Sequence, residues 1–98
     1  MAEFIQIVTY DSDDIDAVIK GANSVPVPDG VPKPSSVMVA RDRDRPGHYA
    51  TILRFDSYED AMEHSESDAT HERIAKISSL WKGEPSFHNL DVLDELHP

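Results

Sequence analysis

Cysteine is absent from this 98-residue chain, and that absence removes disulfides, thiolate nucleophiles, iron–sulfur clusters and cysteine-bound zinc. Any metal would have to be held by His, Asp or Glu. No apolar run approaches the roughly 20 residues a bilayer span requires. Met1-Ala2-Glu3-Phe4 lacks the basic head and apolar body of a signal peptide, so a cytoplasmic protein is expected. Positive charge is scarce as well: nine Lys and Arg face nineteen Asp and Glu, a formal net charge of -10. Such a balance repels phosphate backbones and anionic lipid, so neither nucleic acid nor membrane is expected as a partner. The one dense basic run, Arg41, Arg43 and Arg45, is interleaved with Asp42 and Asp44 and reads as a solvated hairpin end rather than an anion site.

What is present is organised around Ser35 to Phe55. Two arms rich in apolar and β-branched residues, Ser36 to Arg41 and Tyr49 to Phe55, flank the turn residues Asp44-Arg45-Pro46-Gly47, which is the pattern of a β-hairpin. Before it, Phe4 to Tyr10 reads as a strand with apolar residues on both faces, Phe4, Val8 and Tyr10 on one and Ile5 and Ile7 on the other, hence a central strand. Gln6 is the polar intruder on the Phe4 face and needs a hydrogen-bond partner there.

Asp11 to Asp14 supply caps and negative charge for a helix whose stripe is Ile15, Val18, Ile19 and Ala22. Capping explains this acidic cluster better than a cation site does. Pro26, Pro28, Pro32 and Pro34 then fix an extended, stiff loop that either simply connects or covers a pocket. After the hairpin, Ser57 with Asp60 forms a capping box, and Ser65-Glu66-Ser67-Asp68 resets the pattern, predicting a helix broken near Ser67. Its second half is expected to carry Thr70, Ile74, Ile77 and Trp81 inward, with Lys82 in the last turn, Gly83 past the end and Pro85 beyond. Ser86 to Leu93 alternates as a closing strand, followed by an acidic tail, Asp94 to Pro98.

Strand, helix, strand, strand, helix, strand is the ferredoxin-like α+β order: one domain over residues 1–98, a four-stranded antiparallel sheet with its helices on one face. The other face also carries apolar side chains. A homodimer packed sheet to sheet is the expected cover.

The segment His48-Tyr49-Ala50-Thr51-Ile52-Leu53-Arg54-Phe55-Asp56-Ser57-Tyr58-Glu59-Asp60-Ala61-Met62, with the closing Phe87-His88-Asn89-Leu90-Asp91-Val92, resembles the dimeric α/β barrel superfamily that includes antibiotic biosynthesis monooxygenase-like proteins. The resemblance spans nearly the whole chain in element order, and its motifs report fold more than chemistry. It implies a cavity between helices and sheet for a flat phenolic or enolic small molecule. It further implies oxygenation without a cofactor, in which a deprotonated, electron-rich substrate reduces dioxygen directly. Toward that chemistry the chain offers His48 as proton acceptor and Asn89 as oxyanion donor, with Gln6, Arg54, Tyr58 and Trp81 as substrate-binding residues. Each also has a plain structural reading: Trp81 as core, Asn89 as a strand-end residue bonding backbone, His48 as a hairpin residue in water, Arg54 as a surface pair with Asp56. Two competing functions stand beside the oxygenase. One is a non-catalytic dimeric binding or structural module in which Gln6, Asn89 and Asp91 satisfy one another. The other is a haem-binding protein with His64 or His71 as ligand, a role found among relatives of this fold. His64, Asp68 and His71 also have the i, i+4, i+7 spacing of a metal site, but only on an unbroken helix, so no metal is expected.

Overall fold

The computed structural model describes residues 3–97. Met1, Ala2 and Pro98, which entered the expectations for the N-terminus and the tail, lie outside the described residues. The elements are β1 (Phe4–Ser12), α1 (Ile15–Asn23), β2 (Ser36–Arg41), β3 (His48–Phe55), α2 (Tyr58–Glu66), α3 (Asp68–Ile77) and β4 (Trp81–Asp91), with a 3-10 turn at Ser78–Leu80. The sheet order is β2-β3-β1-β4, every neighbouring pair antiparallel. β1 is therefore central, as its two apolar faces require. Among the described residues no helix is long and apolar enough to cross a membrane.

Local chemistry explains the helix boundaries. Asp14 caps α1, its carboxylate accepting from the Ala17 amide at 3.1 Å. Ser57 caps α2 by accepting from the Asp60 amide at 3.1 Å. Ser67 ends α2 in an extended conformation and caps α3 through the Thr70 amide, so the predicted break falls at Ser67.

The register of β1 sets which side chains meet. Phe4 pairs with Phe55, Gln6 with Leu53 and Asn89, Val8 with Thr51 and Phe87, and Tyr10 with Tyr49. These residues share the face that the helices cover. Two closed clusters form there. Phe4, Phe55 and Ala61 pack at one end; Tyr10, Val18, Tyr49 and Ile77 pack at the other. Between α1 and α3 the approach is close: a Cβ on Gly21 would stand 3.0 Å from Ile77 Cγ2. The opposite sheet face carries Ile5, Ile7, Met38, Ile52 and Leu90 in adjoining positions, with Met38 and Leu90 exposed.

The end of α3 differs from expectation. The helix stops at Ile77, and Trp81 opens β4 instead of closing the helix. Gly83 and Pro85, expected as helix-stop signals, lie inside the strand at a bulge: Asp11 pairs with Lys82, whereas Thr9 pairs with Ser86. Two extra residues are accommodated on β4. Gly83 adopts φ 80°, the left-handed conformation that favours glycine, and Pro85 needs no ladder donor at an edge. Stop signals and bulge signals use the same residues, and pairing with β1 decided between them. A Cβ at Gly83 would meet nothing within 4 Å, so Gly83→Ala should cost only backbone strain, about 1–2 kcal/mol. Equilibrium urea unfolding checks this; an unchanged or raised midpoint would contradict the left-handed bulge.

Candidate functional site

Between the two closed clusters the helix layer stands away from the sheet. The cavity there measures about 880 Å³. Its floor is the two middle rows of the sheet, with Gln6, Val8, Thr51, Leu53, Phe87 and Asn89; its roof comes from α1, α2, α3 and the proline-rich loop. Val37 and Val39 on one edge strand and Phe87 on the other are lining residues that stay exposed, so the cavity is open along the sheet edges. A volume of this size suits a small organic ligand.

Three of the six residues predicted from the sequence line it: Gln6, Asn89 and Trp81. The cross-strand pairing puts Gln6 beside Asn89, and Gln6 Nε2 donates to Asn89 Oδ1 at 3.2 Å. The partner that Gln6 needed is thus Asn89, and the Asn89 amide keeps both of its own hydrogens for another acceptor. Trp81 stands against Tyr10 with ring centroids 5.9 Å apart, and its indole N–H is buried without a hydrogen-bond partner among the described residues. Tyr10 is engaged through its hydroxyl, 2.8 Å from Thr51 Oγ1.

The other three lie elsewhere. His48 falls on the opposite sheet face from Tyr49, at the hairpin end, where Nδ1 is 2.7 Å from Asp11 Oδ1. It borders a separate, polar recess of about 300 Å³ with Asp13, Arg45 and Lys82. A one-residue offset along a strand reverses the face, and the sequence alone left that parity open for His48. Arg54 also points to the outer face. It binds two carboxylates, Glu3, to which Nε donates at 3.0 Å, and Glu95 of the tail, rather than Asp56. Tyr58 is half exposed and meets Phe4 edge to face at 5.3 Å, away from the cavity lining.

The roof adds two groups outside those six: His64, offered by the sequence only as a haem or metal ligand, and Arg73, which the sequence did not single out. His64 is only 4% exposed, packs its ring 5.2 Å from that of Phe55, and lies in the cavity wall. Its Nδ1 is 2.9 Å from the Pro32 carbonyl. A carbonyl only accepts, so Nδ1 carries the hydrogen and Nε2 holds the lone pair. Burial pushes the His64 pKa below the ordinary value of 6.5; the Pro32 hydrogen bond opposes this, and the nearby Arg73 charge reinforces it. Arg73, on α3, lines the same wall and ties down the start of the loop, donating from Nε to the Ala22 carbonyl at 3.1 Å and from Nη2 to the Val25 carbonyl at 2.8 Å. The proline-rich loop is thus held over the cavity by His64 and Arg73 together. The available signal was position: His64 is three residues after Ala61, on its face of α2. His71 is exposed on α3, so the break at Ser67 separates it from His64. Among the described residues no group of three His, Asp or Glu is placed to hold a metal.

No protein-family profile matches the chain, and no curated protein matches it. Solved structures do. A "putative antibiotic biosynthesis monooxygenase" from Caulobacter crescentus superposes with a TM-score of 0.79 at 15% identity, covering 95% of this chain and 92% of the other. One of the same description from Chloroflexus aurantiacus gives 0.73 at 18% identity, covering 97% of each chain. A "dimeric ferredoxin-like protein of unknown function" from Thermobifida fusca gives 0.71 at 12%, covering 93% and 92%. At these identities the likeness is one of fold: the chain has the ferredoxin-like architecture of the antibiotic biosynthesis monooxygenase-like structures.

The buried neutral imidazole has a consequence for stability. Folded His64 takes up a proton less readily than the same residue in the unfolded chain, so below about pH 6.5 the unfolded chain binds more protons. Its contribution therefore favours the fold above that pH, is lost as the pH falls toward the lower folded value, and levels off beneath it. Urea midpoints across this window should fall less steeply in His64→Gln than in the wild type; parallel profiles would contradict a buried neutral His64.

Proposed function

We propose that this protein is a small-molecule oxygenase acting on a flat phenolic or enolic substrate, using dioxygen as the only co-reactant. The observation that carries the reading is the cavity itself: largely apolar walls around a few polar groups, roofed by a pinned loop and open at the sheet edges. The description shared by the Caulobacter and Chloroflexus structures supports the reaction type. In such a reaction the substrate loses an acidic proton and the anion reduces dioxygen. One oxygen atom becomes a substrate carbonyl in place of two C–H bonds, the other leaves as water, and the substrate supplies all four electrons. The free amide hydrogens of Asn89 are suited to the anionic oxygen, with Gln6 fixing the Asn89 rotamer and Trp81 forming a flat wall.

The direct test is oxygen uptake with 9-anthrone, a flat ketone with an activated CH₂. Turnover should consume one dioxygen per carbonyl formed, and Asn89→Ala should lower kcat by about 10²-fold with Tm retained. Absence of uptake would remove the oxygenase reading. The hydrogen bond from Gln6 to Asn89 favours a second reading, a non-catalytic binding module. There Asn89→Ala would instead lower stability by about 1–3 kcal/mol. His64 Nε2 is also the wall nitrogen a haem iron would take. A Soret band on titration with haemin, lost in His64→Gln, would assign the cavity to haem.

The apolar outer face supports a twofold dimer packed sheet to sheet, with Ile7, Ile52 and Met38 at its centre. Ile52→Glu should yield a monomer by light scattering. A wild-type monomer at micromolar concentration would remove the dimer.

A further inference from the structure

Arg73 has no anion. Its guanidinium bonds only neutral oxygens, the Ala22 and Val25 carbonyls and, at 3.5 Å from Nη1, Thr70 Oγ1. Among the described residues no carboxylate lies within ion-pair distance of it, in a chain with nineteen acidic residues and nine basic ones. Arg54, by contrast, has two carboxylates. Of the five N–H donors of a guanidinium, three are used, which leaves one hydrogen on each terminal nitrogen. Arg73 is partly buried in the cavity wall, and a cation so placed is stabilised by an anion brought to it.

His64 is in the same wall, and its Nδ1 is committed to Pro32, so its lone pair is on Nε2. We infer that Arg73 and His64 form an anion seat: an acidic hydroxyl of the ligand, an enol or a phenol conjugated to a carbonyl, passes its proton to His64 Nε2 and leaves its negative oxygen against the Arg73 guanidinium. The O–H bond breaks, the Nε2–H bond forms, and the electron pair stays on oxygen. Nothing is oxidised in this step. The held anion offsets the Arg73 charge that otherwise opposes an imidazolium at His64. Burial and that charge make His64 a weak base in the empty cavity, so an alcohol or an unactivated phenol does not transfer its proton. The seat thus selects ligands by acidity as well as shape.

This inference rests on the cavity being a small-molecule site, and one probe separates the two claims. 7-Hydroxycoumarin is a flat phenol conjugated to a carbonyl, and its neutral and anionic forms absorb at different wavelengths. Equilibrium dialysis measures its binding to the full chain, and the absorption spectrum reads its ionisation. Bound to the wild type, the ratio of anion to neutral probe should exceed that of free probe at the same pH by about tenfold, one pKa unit. His64→Gln and Arg73→Met should each return the ratio to the free value while still binding neutral probe. A wild type that binds the probe without changing its ratio leaves the small-molecule site standing and overturns the seat. Variants that keep the tenfold ratio overturn it too. A wild type that does not bind the probe overturns both claims. Should a variant fail to fold, ¹⁵N spectra of the wild type decide: saturation with probe should move His64 Nε2 from its lone-pair position to its protonated one, and an unmoved resonance overturns the seat.

Discussion

The antiparallel register that pairs Phe4 with Phe55 and Tyr10 with Tyr49 is the constraint from which the other features follow. Side chains alternate across a strand, so this register places one aromatic pair at each end of the covered face. α2 closes over the first pair through Ala61, and α1 and α3 close over the second through Val18 and Ile77. The rows between carry Gln6, Val8, Thr51 and Leu53, smaller or more polar side chains that do not fill the space beneath the helices. The cavity is therefore the consequence of where the large residues were placed. The same alternation sends Ile5, Ile7 and Ile52 to the opposite face and leaves a second apolar surface.

Charge is distributed around this frame in an instructive way. Two cations outside the cavity are matched with carboxylates: Arg54 with Glu3 and Glu95, Lys82 with Asp13. His48 is likewise set against Asp11. In the cavity wall, among the described residues, Arg73 and His64 meet carbonyl and hydroxyl oxygens. Backbone carbonyls of the proline-rich loop are free to accept because that loop belongs to no ladder, and they anchor both side chains without neutralising Arg73. The stiff loop, for which the sequence left open a connection or a cover, is thus the element that orients the roof's two basic groups.

Much of the fold was legible in the chain because it rested on short-range rules. Apolar residues on both faces marked Phe4 to Tyr10 as a central strand, Pro46-Gly47 marked the hairpin turn, and Ser57 and Ser67 marked the starts of α2 and α3. The placing of the helices on one face of the sheet then followed from right-handed crossovers. The site was legible only where sheet pairing was local to a readable strand. Gln6 and Asn89 met because both alternate inward on neighbouring strands.

The alternation, the caps and the order of elements could be read off the chain, since each depends on residues within a few positions of one another. The three-dimensional packing settled that Gly83 and Pro85 form a bulge instead of ending a helix, that His48 faces out while His64 is buried beneath Pro32, and that Arg73 meets neutral oxygens among the described residues. Each of those outcomes depends on which distant backbone or side chain arrives at the site. A stop signal, a histidine and an arginine look the same in the chain whichever neighbour arrives.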